Sequence, residues 1–337
     1  MTDRYARQAR FKEIGQSGQN LIKESTVTII GCGALGTAQA EMLVRSGVKT
    51  IHLVDRDVVE WSNLQRQQLF TEDDALEMVP KVIAAEKRLH DIRSDVTLHT
   101  YLEHADADLI KRLAEQSDIL LDATDNFETR LVINDVCHQL NKAWVYGACI
   151  GSTSVVFPIL PGETACLRCI VESIPLNLAT CENAGILAST VQITASRQCN
   201  EVWKYLTGQR EQMLRKLCIE DVWEMDRQLI GISKVKRDDC LTCGETPSYP
   251  ALKEHADVAV LCGRDTVQLK PSTSRHYSLE DIESSLKEQH YSYQKTPFFI
   301  QFYAENHRVM AFHNGRILVH ETKDERVGRK IFHQLFG

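Results

Sequence analysis

The sequence predicts an α/β fold, a doubly wound and mainly parallel sheet with helices on both faces. Strand-like and helix-like segments alternate across residues 26–148, and this alternation is typical of parallel sheets joined by crossover helices. A glycine-rich turn at residues 31–36 separates the first strand from its helix. After Ser152 the pattern changes to strand pairs with a proline and glycine corner at 158–162. We therefore expect antiparallel strands to continue the same sheet.

Hydrophobic periodicity places the elements in order. The expected strands are residues 26–30, 50–54, 96–101, 118–122 and 143–148. The expected helices run from the glycine turn to about 47, then over residues 81–89, 107–115, 127–140 and about 184–206. Two prolines mark residues 246–256 as a linker, so we expect one domain at 1–246 and a small α+β appendage at 257–337. In the appendage, Asn314 and Gly315 between apolar segments predict a hairpin.

Composition and charge argue against several classes of function. The chain has 337 residues, and 43% of them are hydrophobic, which is enough for a sizeable core. Acidic side chains outnumber basic ones by 46 to 39, which disfavours general nucleic-acid binding. The apolar runs are far shorter than the roughly 18 to 20 residues of a membrane helix, and the charged N-terminus lacks the apolar centre of a signal peptide. These features predict a cytoplasmic protein without a membrane partner.

Gly31, Gly33 and Gly36 form a G-x-G-x-x-G pattern between a strand and a helix. In a Rossmann-like fold, backbone N–H groups at the start of such a helix face a phosphate group. Asp55 ends the next strand and is well placed to bind ribose hydroxyls. By themselves these residues favour a nicotinamide-dependent oxidoreductase, and a purely structural glycine turn is the simpler alternative.

A set of polar residues after Asp55 favours a different nucleotide chemistry. An enzyme that splits ATP between its α and β phosphates needs cationic side chains to stabilise charge on the pyrophosphate, and a carboxylate can hold Mg²⁺ on the phosphates. Residues of suitable type are Asp57, Asn63, Arg66, Gln67, Lys81, Asp125 and Asn126. Taken singly, Arg66 and Lys81 could be solvated surface charges, and Asp125 could cap the helix that begins at residue 127.

Four of the eleven cysteines form two Cys-x-x-Cys pairs. The pairs are Cys166 with Cys169 and Cys240 with Cys243. Four thiolates in two turn-like clips are the arrangement that a tetrahedral structural Zn²⁺ needs. Because the pairs are far apart in sequence, the metal would join two distant segments of one domain. Unliganded surface thiols are the alternative.

Several short motifs, in consistent order from about residue 4 to 245, resemble the ThiF/MoeB/HesA family, relatives of the adenylation domains of ubiquitin-activating enzymes. The matching pieces are Arg4-Tyr5-Ala6-Arg7-Gln8, the glycine turn, residues 55–67, Lys81, Thr124-Asp125-Asn126 with Arg130, both cysteine pairs, and residues 180–185. The resemblance implies an ATP-binding adenylation domain with a structural zinc site.

The resemblance also implies roles for the nucleotide-binding residues. Asp55 would hold the ribose of ATP, and the glycine turn would position the substrate. Asn63, Arg66 and Lys81 would contact the phosphates. Asp125 would bind Mg²⁺ or organise the attack on the α-phosphate.

Two further roles come from the same resemblance. Arg7, with Arg4 as an adjacent alternative, would act as a finger that the neighbouring subunit of a homodimer contributes. Cys181 would lie in a mobile loop, where a family cysteine can attack the acyl-adenylate or receive sulfur. A position near the N-terminus of the long helix would lower the pKa of its thiol. Because some family members adenylate without this thiol, a covalent and a non-covalent role both stay open.

The implied reaction is adenylation of the C-terminal glycine of a ubiquitin-like sulfur-carrier protein, of ThiS or MoaD type, with release of pyrophosphate. A thiocarboxylate would follow, for thiamin or molybdopterin synthesis. The appendage has a single cysteine, Cys262, in no recognisable rhodanese loop, so we expect a separate sulfur donor of the cysteine desulfurase or rhodanese type. A same-fold enzyme that activates a carboxylate on tRNA or a peptide is the nearest alternative. An oxidoreductase would leave the polar set and the cysteine pairs unexplained.

Overall fold

The computed structural model describes residues 4–173, 185–253, 258–261, 266–269, 278–312 and 315–336. Two compact units make up the chain, Met1–Lys253 and Glu254–Gly337. Each unit has its own sheet and its own core. Among the helices in the described ranges, none combines the length and apolarity needed to cross a membrane.

An eight-stranded sheet forms the centre of the first unit. Its strands are β1 (Thr26–Ile30), β2 (Thr50–Val54), β3 (Thr97–Tyr101), β4 (Ile119–Asp122), β5 (Trp144–Ile150), β6 (Thr153–Ile159), β7 (Lys216–Asp221) and β8 (Asp226–Gly231). Their order in the sheet is β3-β2-β1-β4-β5-β6-β7-β8. Strands β1 to β5 are parallel, and β5 to β8 pair antiparallel. The predicted parallel sheet with an antiparallel continuation is confirmed.

Helices cover both faces of this sheet. They are α1 (Gly15–Ile22), α2 (Ala34–Ser46), α3 (Glu72–Leu76), α4 (Lys81–Ile92), α5 (Ala107–Gln116), α6 (Phe127–Gln139), α7 (Leu167–Ser173) and α8 (Ala188–Leu206), with short 3₁₀ turns at Trp61–Asn63, Arg210–Gln212 and Pro250–Leu252. Neighbouring strand residues enter different cores because strand side chains alternate. Ile29 packs in a cluster with residues of α2, α4 and α8, whereas Ile30 packs in a cluster with residues of α5, α6 and α7. The sheet is therefore doubly wound, as the sequence predicts.

The long helix of the second half starts later than expected. It begins at Ala188 and not near residue 184. Gly185 has a φ of +67°, outside helical geometry, and Ile186 forms a bridge with Gly151. In this bridge Gly151 N donates to Gly185 O at 2.9 Å, and Leu187 N donates to Gly151 O at 3.1 Å. These bonds occupy backbone groups that a helix would use.

In its described residues, the second unit has a six-stranded antiparallel sheet and two helices. Its strands are β9 (Val258–Leu261), β10 (Thr266–Leu269), β11 (Tyr293–Lys295), β12 (Phe299–Ala304), β13 (His307–Phe312) and β14 (Ile317–His320), and its helices are α9 (Leu279–Glu288) and α10 (Glu325–Phe336). The sheet order is β11-β12-β13-β14-β10-β9. Strands β13 and β14 pair antiparallel on either side of the Asn-Gly signal, with Ala311 opposite Ile317. Residues 313 and 314 themselves lie outside the described residues. The expected α+β appendage and its hairpin are confirmed.

Two glycines of the turn after β1 are required by backbone contacts. Gly31 has a φ of +102°, and a Cβ on it would lie 2.5 Å from the carbonyl oxygen of Ala123. A Cβ on Gly36 would lie 2.0 Å from the carbonyl oxygen of Gly31. The start of α2 can therefore approach the ends of β1 and β4 this closely only without side chains at these positions.

The substitution Gly36→Ala is expected to lower the free energy of unfolding by about 3 kcal/mol, because its Cβ would overpack against a backbone oxygen that no rotamer change can move. Gly231→Ala is the matched control, since a Cβ there meets no atom within 4 Å. Denaturant unfolding of the two variants and the wild type checks this. Wild-type stability of Gly36→Ala would contradict it.

Candidate active site

The glycine turn lies at the carboxyl edge of the sheet, between the ends of two neighbouring strands. Ile30, the last residue of β1, is in register with Val54 of β2 on one side and with Asp122 of β4 on the other. The residues that follow these three strands therefore come together at one edge. This edge is where ligands bind in doubly wound sheets.

Asp55 is tied to the glycine turn by its carboxylate. Oδ2 accepts a hydrogen bond from Cys32 N at 2.7 Å, and Oδ1 accepts one from Asp57 N at 2.8 Å. Burial raises the pKa of Asp55, and the charge of Lys81 opposes that rise. The side chain thus fixes the shape of the turn, in the place where a ribose hydroxyl is expected.

Lys81 is not a solvated surface charge. It is the first residue of α4, with an exposed fraction of 2%, and its Nζ lies 3.4 Å from Asp57 Oδ2. The backbone also connects the two residues, because Lys81 N donates to Asp57 O at 2.9 Å. A buried ammonium group therefore lies beside the residues that follow β2. Arg66, in contrast, is partly exposed and donates from Nη1 to Ser62 O at 2.8 Å.

Asn63 and Gln67 are buried on the segment that follows β2. Asn63 Oδ1 accepts from Glu60 N at 3.1 Å and so closes a capping box on a short 3₁₀ turn. Gln67 is 4% exposed, and its amide faces Gly33, where a Cβ would lie 3.8 Å from Gln67 Nε2. Gln67 Oε1 is buried and has no hydrogen-bond partner in the described part of the chain. A buried acceptor beside the glycine turn fits a site that receives a polar ligand.

The residue that caps α6 is Asn126, and the expectation that Asp125 could be the cap is wrong. Asn126 Oδ1 accepts from Thr129 N at 2.9 Å, because the amide side chain, one residue later, reaches the first turn. Asp125 is exposed, and its Oδ1 accepts from Asn126 Nδ2 at 3.3 Å. The Asp125 carboxylate is therefore not used to cap the helix and lies at the open edge of the sheet.

A buried ion pair lies under this loop, and sequence reasoning missed it. Asp122 Oδ2 accepts from Arg130 Nε at 3.0 Å, and Oδ1 accepts from Thr124 N at 2.9 Å. Arg130 Nη2 donates to the carbonyl oxygens of Thr124 and Gly147. Burial raises the pKa of Asp122, against the effect of the Arg130 charge. The only signal in the sequence was an acid at the end of a buried strand eight residues before an arginine.

Gln198 of α8 completes this polar layer and was also missed. Its Nε2 donates to Asp122 O at 2.7 Å and to Val145 O at 3.1 Å, and its Oε1 accepts from Gln39 Nε2 at 2.6 Å. A Cβ on Gly147 would lie 2.3 Å from the Gln198 amide. A glutamine in the middle of a long helix carries no local signal for such a role.

The N-terminal segment is held against the first unit. Gln8 Nε2 donates to Gln19 Oε1 at 2.8 Å and to Ser46 O at 3.0 Å. The ring of Tyr5 lies against Gly47, where a Cβ would be 2.9 Å from the ring. Arg7 is exposed on this anchored segment.

The four predicted ligand cysteines form one cluster. The Sγ atoms of Cys166, Cys169, Cys240 and Cys243 all lie within 4.8 Å of one another, so that together they could hold a metal ion. Two of the sulfur pairs are 3.6 and 3.5 Å apart, close to the roughly 3.8 Å between sulfurs in a tetrahedral zinc site. A hydrogen bond from Cys166 lowers the pKa of the Cys243 thiol to about 5. Cys181 lies outside the described residues, and its role stays a prediction.

Comparisons with family models and with known proteins point to the same family. The ThiF family model matches residues 5–242. A sulfur carrier protein ThiS adenylyltransferase of Bacillus subtilis is 42% identical over 340 residues that span 100% of both chains. A sulfur carrier protein adenylyltransferase of Thermus thermophilus is 32% identical over 268 residues, 77% of this chain and 96% of the relative.

Solved structures show the same fold at lower identity. The microcin C7 biosynthetic enzyme MccB, in complex with N-formylated MccA, has a TM-score of 0.63 and 23% identity, over 72% of this chain and 75% of MccB. That similarity concerns the fold alone. On the family match and the full-length relative together, this chain belongs to the ThiF family.

Proposed function

We propose that this chain is an adenylyltransferase that transfers AMP from ATP to the C-terminal glycine carboxylate of a ubiquitin-like sulfur-carrier protein. The observation that carries the proposal is the meeting of the glycine turn, buried Lys81 and exposed Asp125 at one sheet edge in a chain of the ThiF family. The full-length relative is named for this reaction on ThiS. A carrier of ThiS type is therefore the first substrate to test, with a MoaD type beside it.

In this proposal the nucleotide lies along the carboxyl edge of the sheet. Asp55 receives the ribose, and the N–H groups at the start of α2 face the phosphates. Lys81, Asn63 and Arg66 contact the phosphates, and the amide of Gln67 serves as a further polar contact beside Gly33. Asp125 would offer a carboxylate oxygen, the ligand type that Mg²⁺ prefers, to an ion carried by ATP. Asp57 keeps the Lys81 ammonium in position.

The chemistry is an in-line displacement at the α-phosphorus. A carboxylate oxygen of the carrier attacks this phosphorus, and the bond to the bridging oxygen of the β-phosphate breaks. Pyrophosphate leaves with the bonding electron pair, and the carrier keeps AMP as an acyl-phosphate anhydride. Because negative charge grows on the leaving group, cationic side chains such as Lys81 accelerate the step electrostatically.

The four-cysteine cluster is proposed to hold a structural Zn²⁺. All four positions around the ion would be filled by sulfur, which leaves none for a substrate and is typical of structural sites. The ion would join the start of α7 to the segment after β8. Its contribution is to stability and not to the chemical step.

Asp125→Ala is expected to reduce carrier-dependent ATP–pyrophosphate exchange at least about 100-fold, because Mg²⁺ loses a ligand where charge develops. Glu128→Ala is the matched control, since it removes an exposed acid from the first turn of the same helix. Exchange should also need the intact Gly-Gly terminus of the carrier. Undiminished exchange in Asp125→Ala would overturn the assigned role, and binding of NAD in place of ATP would overturn the proposed function.

Sulfur transfer is proposed to follow adenylation, with a separate donor of the cysteine desulfurase or rhodanese type. Cys181→Ser is expected to keep wild-type pyrophosphate exchange, because no thiol takes part in the AMP-forming step. Formation of the carrier thiocarboxylate is expected to fall at least about tenfold, because sulfur is proposed to pass through Cys181. Intact-mass spectrometry of the carrier in the presence of a sulfur donor measures this. Thiocarboxylate formation at the wild-type rate would show that sulfur does not pass through this residue.

The active site is proposed to be shared between two subunits of a homodimer, with Arg7 contributed across the interface. Arg7→Ala and Asp125→Ala should each be inactive alone. Mixing and reassembling the two variants should restore about one quarter of wild-type exchange, because half of the random dimers are mixed and each has one complete site. Two variants that stay inactive after confirmed subunit exchange would contradict a shared site.

A further inference from the structure

Asp135 is a fully buried carboxylate in the second half of α6, ten residues after Asp125. Its exposed fraction is 0%. Oδ1 accepts a hydrogen bond from the hydroxyl of Thr242, and Oδ2 accepts one from Ala251 N at 3.0 Å. Oδ2 also lies 3.5 Å from Arg168 Nη2. A buried charge with this many partners is held because each donor offsets part of its desolvation.

Two of these partners come from equivalent positions of the two cysteine pairs. Arg168 is the third residue of Cys166-Leu167-Arg168-Cys169, and Thr242 is the third residue of Cys240-Leu241-Thr242-Cys243. The two side chains also bond to each other, with Arg168 Nε donating to Thr242 Oγ1 at 3.1 Å. One carboxylate therefore joins both clips that surround the cysteine cluster.

A neighbouring residue of α6 strengthens the same connection. Asn134 Oδ1 accepts from Leu167 N at 2.8 Å, and Asn134 is fully buried. Two successive side chains of one helix thus hold the first clip, and Asp135 holds the second clip as well.

The other end of α6 carries the residues proposed for catalysis. Asn126 caps its first turn, and Asp125 precedes that cap. Arg130 forms the buried ion pair with Asp122. Ten helical residues span about 15 Å, so a single rigid element connects the cysteine cluster to the open edge of the sheet.

We propose that Asp135 is a positioning residue that locks both cysteine clips to α6, so that metal binding at the clips fixes the loop bearing Asp125. This inference rests on the proposed function for the metal and for Asp125. Without Asp135, each clip would keep its own backbone hydrogen bonds but would lose its shared attachment to the helix. The metal would then leave more easily, and the first turn of α6 would open more often.

The test compares Asp135→Asn with Glu201→Gln in the full-length, zinc-loaded protein. Both changes neutralise a buried carboxylate that accepts a backbone N–H and pairs with a cation, because Glu201 accepts from Leu214 N at 2.8 Å and pairs with Lys204. Zinc release is followed with a chromophoric chelator. Release from Asp135→Asn is expected to be at least about tenfold faster than from the wild type, the scale seen when a residue that holds metal ligands is removed. Glu201→Gln is expected to match the wild type.

A second readout follows the helix directly. Hydrogen exchange of amides in residues 122–131 should be faster in Asp135→Asn and in metal-depleted wild type than in Glu201→Gln. A second variant, Thr242→Val, removes one donor to Asp135 and preserves side-chain shape. It should release zinc at an intermediate rate, and it tests the inference even where Asp135→Asn fails to fold.

Wild-type zinc release from Asp135→Asn would overturn the inference, and so would fast release with unchanged exchange at 122–131. A wild-type protein that binds no zinc would overturn the metal assignment and this inference together. Carrier-dependent pyrophosphate exchange measures the proposed adenylation separately, so the two failures can be told apart.

Discussion

The buried pair of Asp122 and Arg130 is the interaction on which the open edge of the sheet depends. The Asp122 carboxylate ends the parallel strand β4 and is fully buried. The guanidinium lies over the rings of Phe127 and Tyr146, 5.4 Å from each centroid. Removing one partner of such a pair leaves an uncompensated buried charge and costs about 3–5 kcal/mol. The pair therefore stabilises the loop that leaves β4.

Packing around this pair fixes the loops at the sheet edge where the nucleotide is proposed to bind. The loop after β4 supplies the carbonyl of Ala123, which lies so close to Gly31 that a side chain there is excluded. The glycine turn donates the N–H of Cys32 to the carboxylate of Asp55. Asp55 is thus held by a backbone N–H from the turn that follows the neighbouring strand β1. A preorganised edge of this kind can stabilise charge on a reacting phosphate without first reorganising.

The cysteine cluster packs among residues of α5 and α6, and its proposed role is in stability. Its two clips come from segments far apart in sequence, and a metal ion there would close a long loop. Since the clips also contact α6 through Asp135, the cluster and the proposed nucleotide edge share one helix. The two proposed sites of the unit are in this way physically connected.

The sequence by itself determined the fold class, the order of strands and helices along the chain, the glycine turn and the four-cysteine cluster, because these follow from local periodicity and short motifs. It located β1 and β2 to the residue, since both are buried apolar runs bounded by turn signals. The order of the strands within the sheet came from the tertiary structure. Only the tertiary structure decided that Lys81 is buried against Asp57, that Asn126 and not Asp125 caps α6, and that Gln198 and Asp135 join distant segments. The Asn126 cap is a local contact that depends on which of two adjacent polar side chains reaches the first turn. Lys81, Gln198 and Asp135 instead bond to residues 24, 76 and 116 positions away in sequence, and no local pattern reports a contact that chain folding creates.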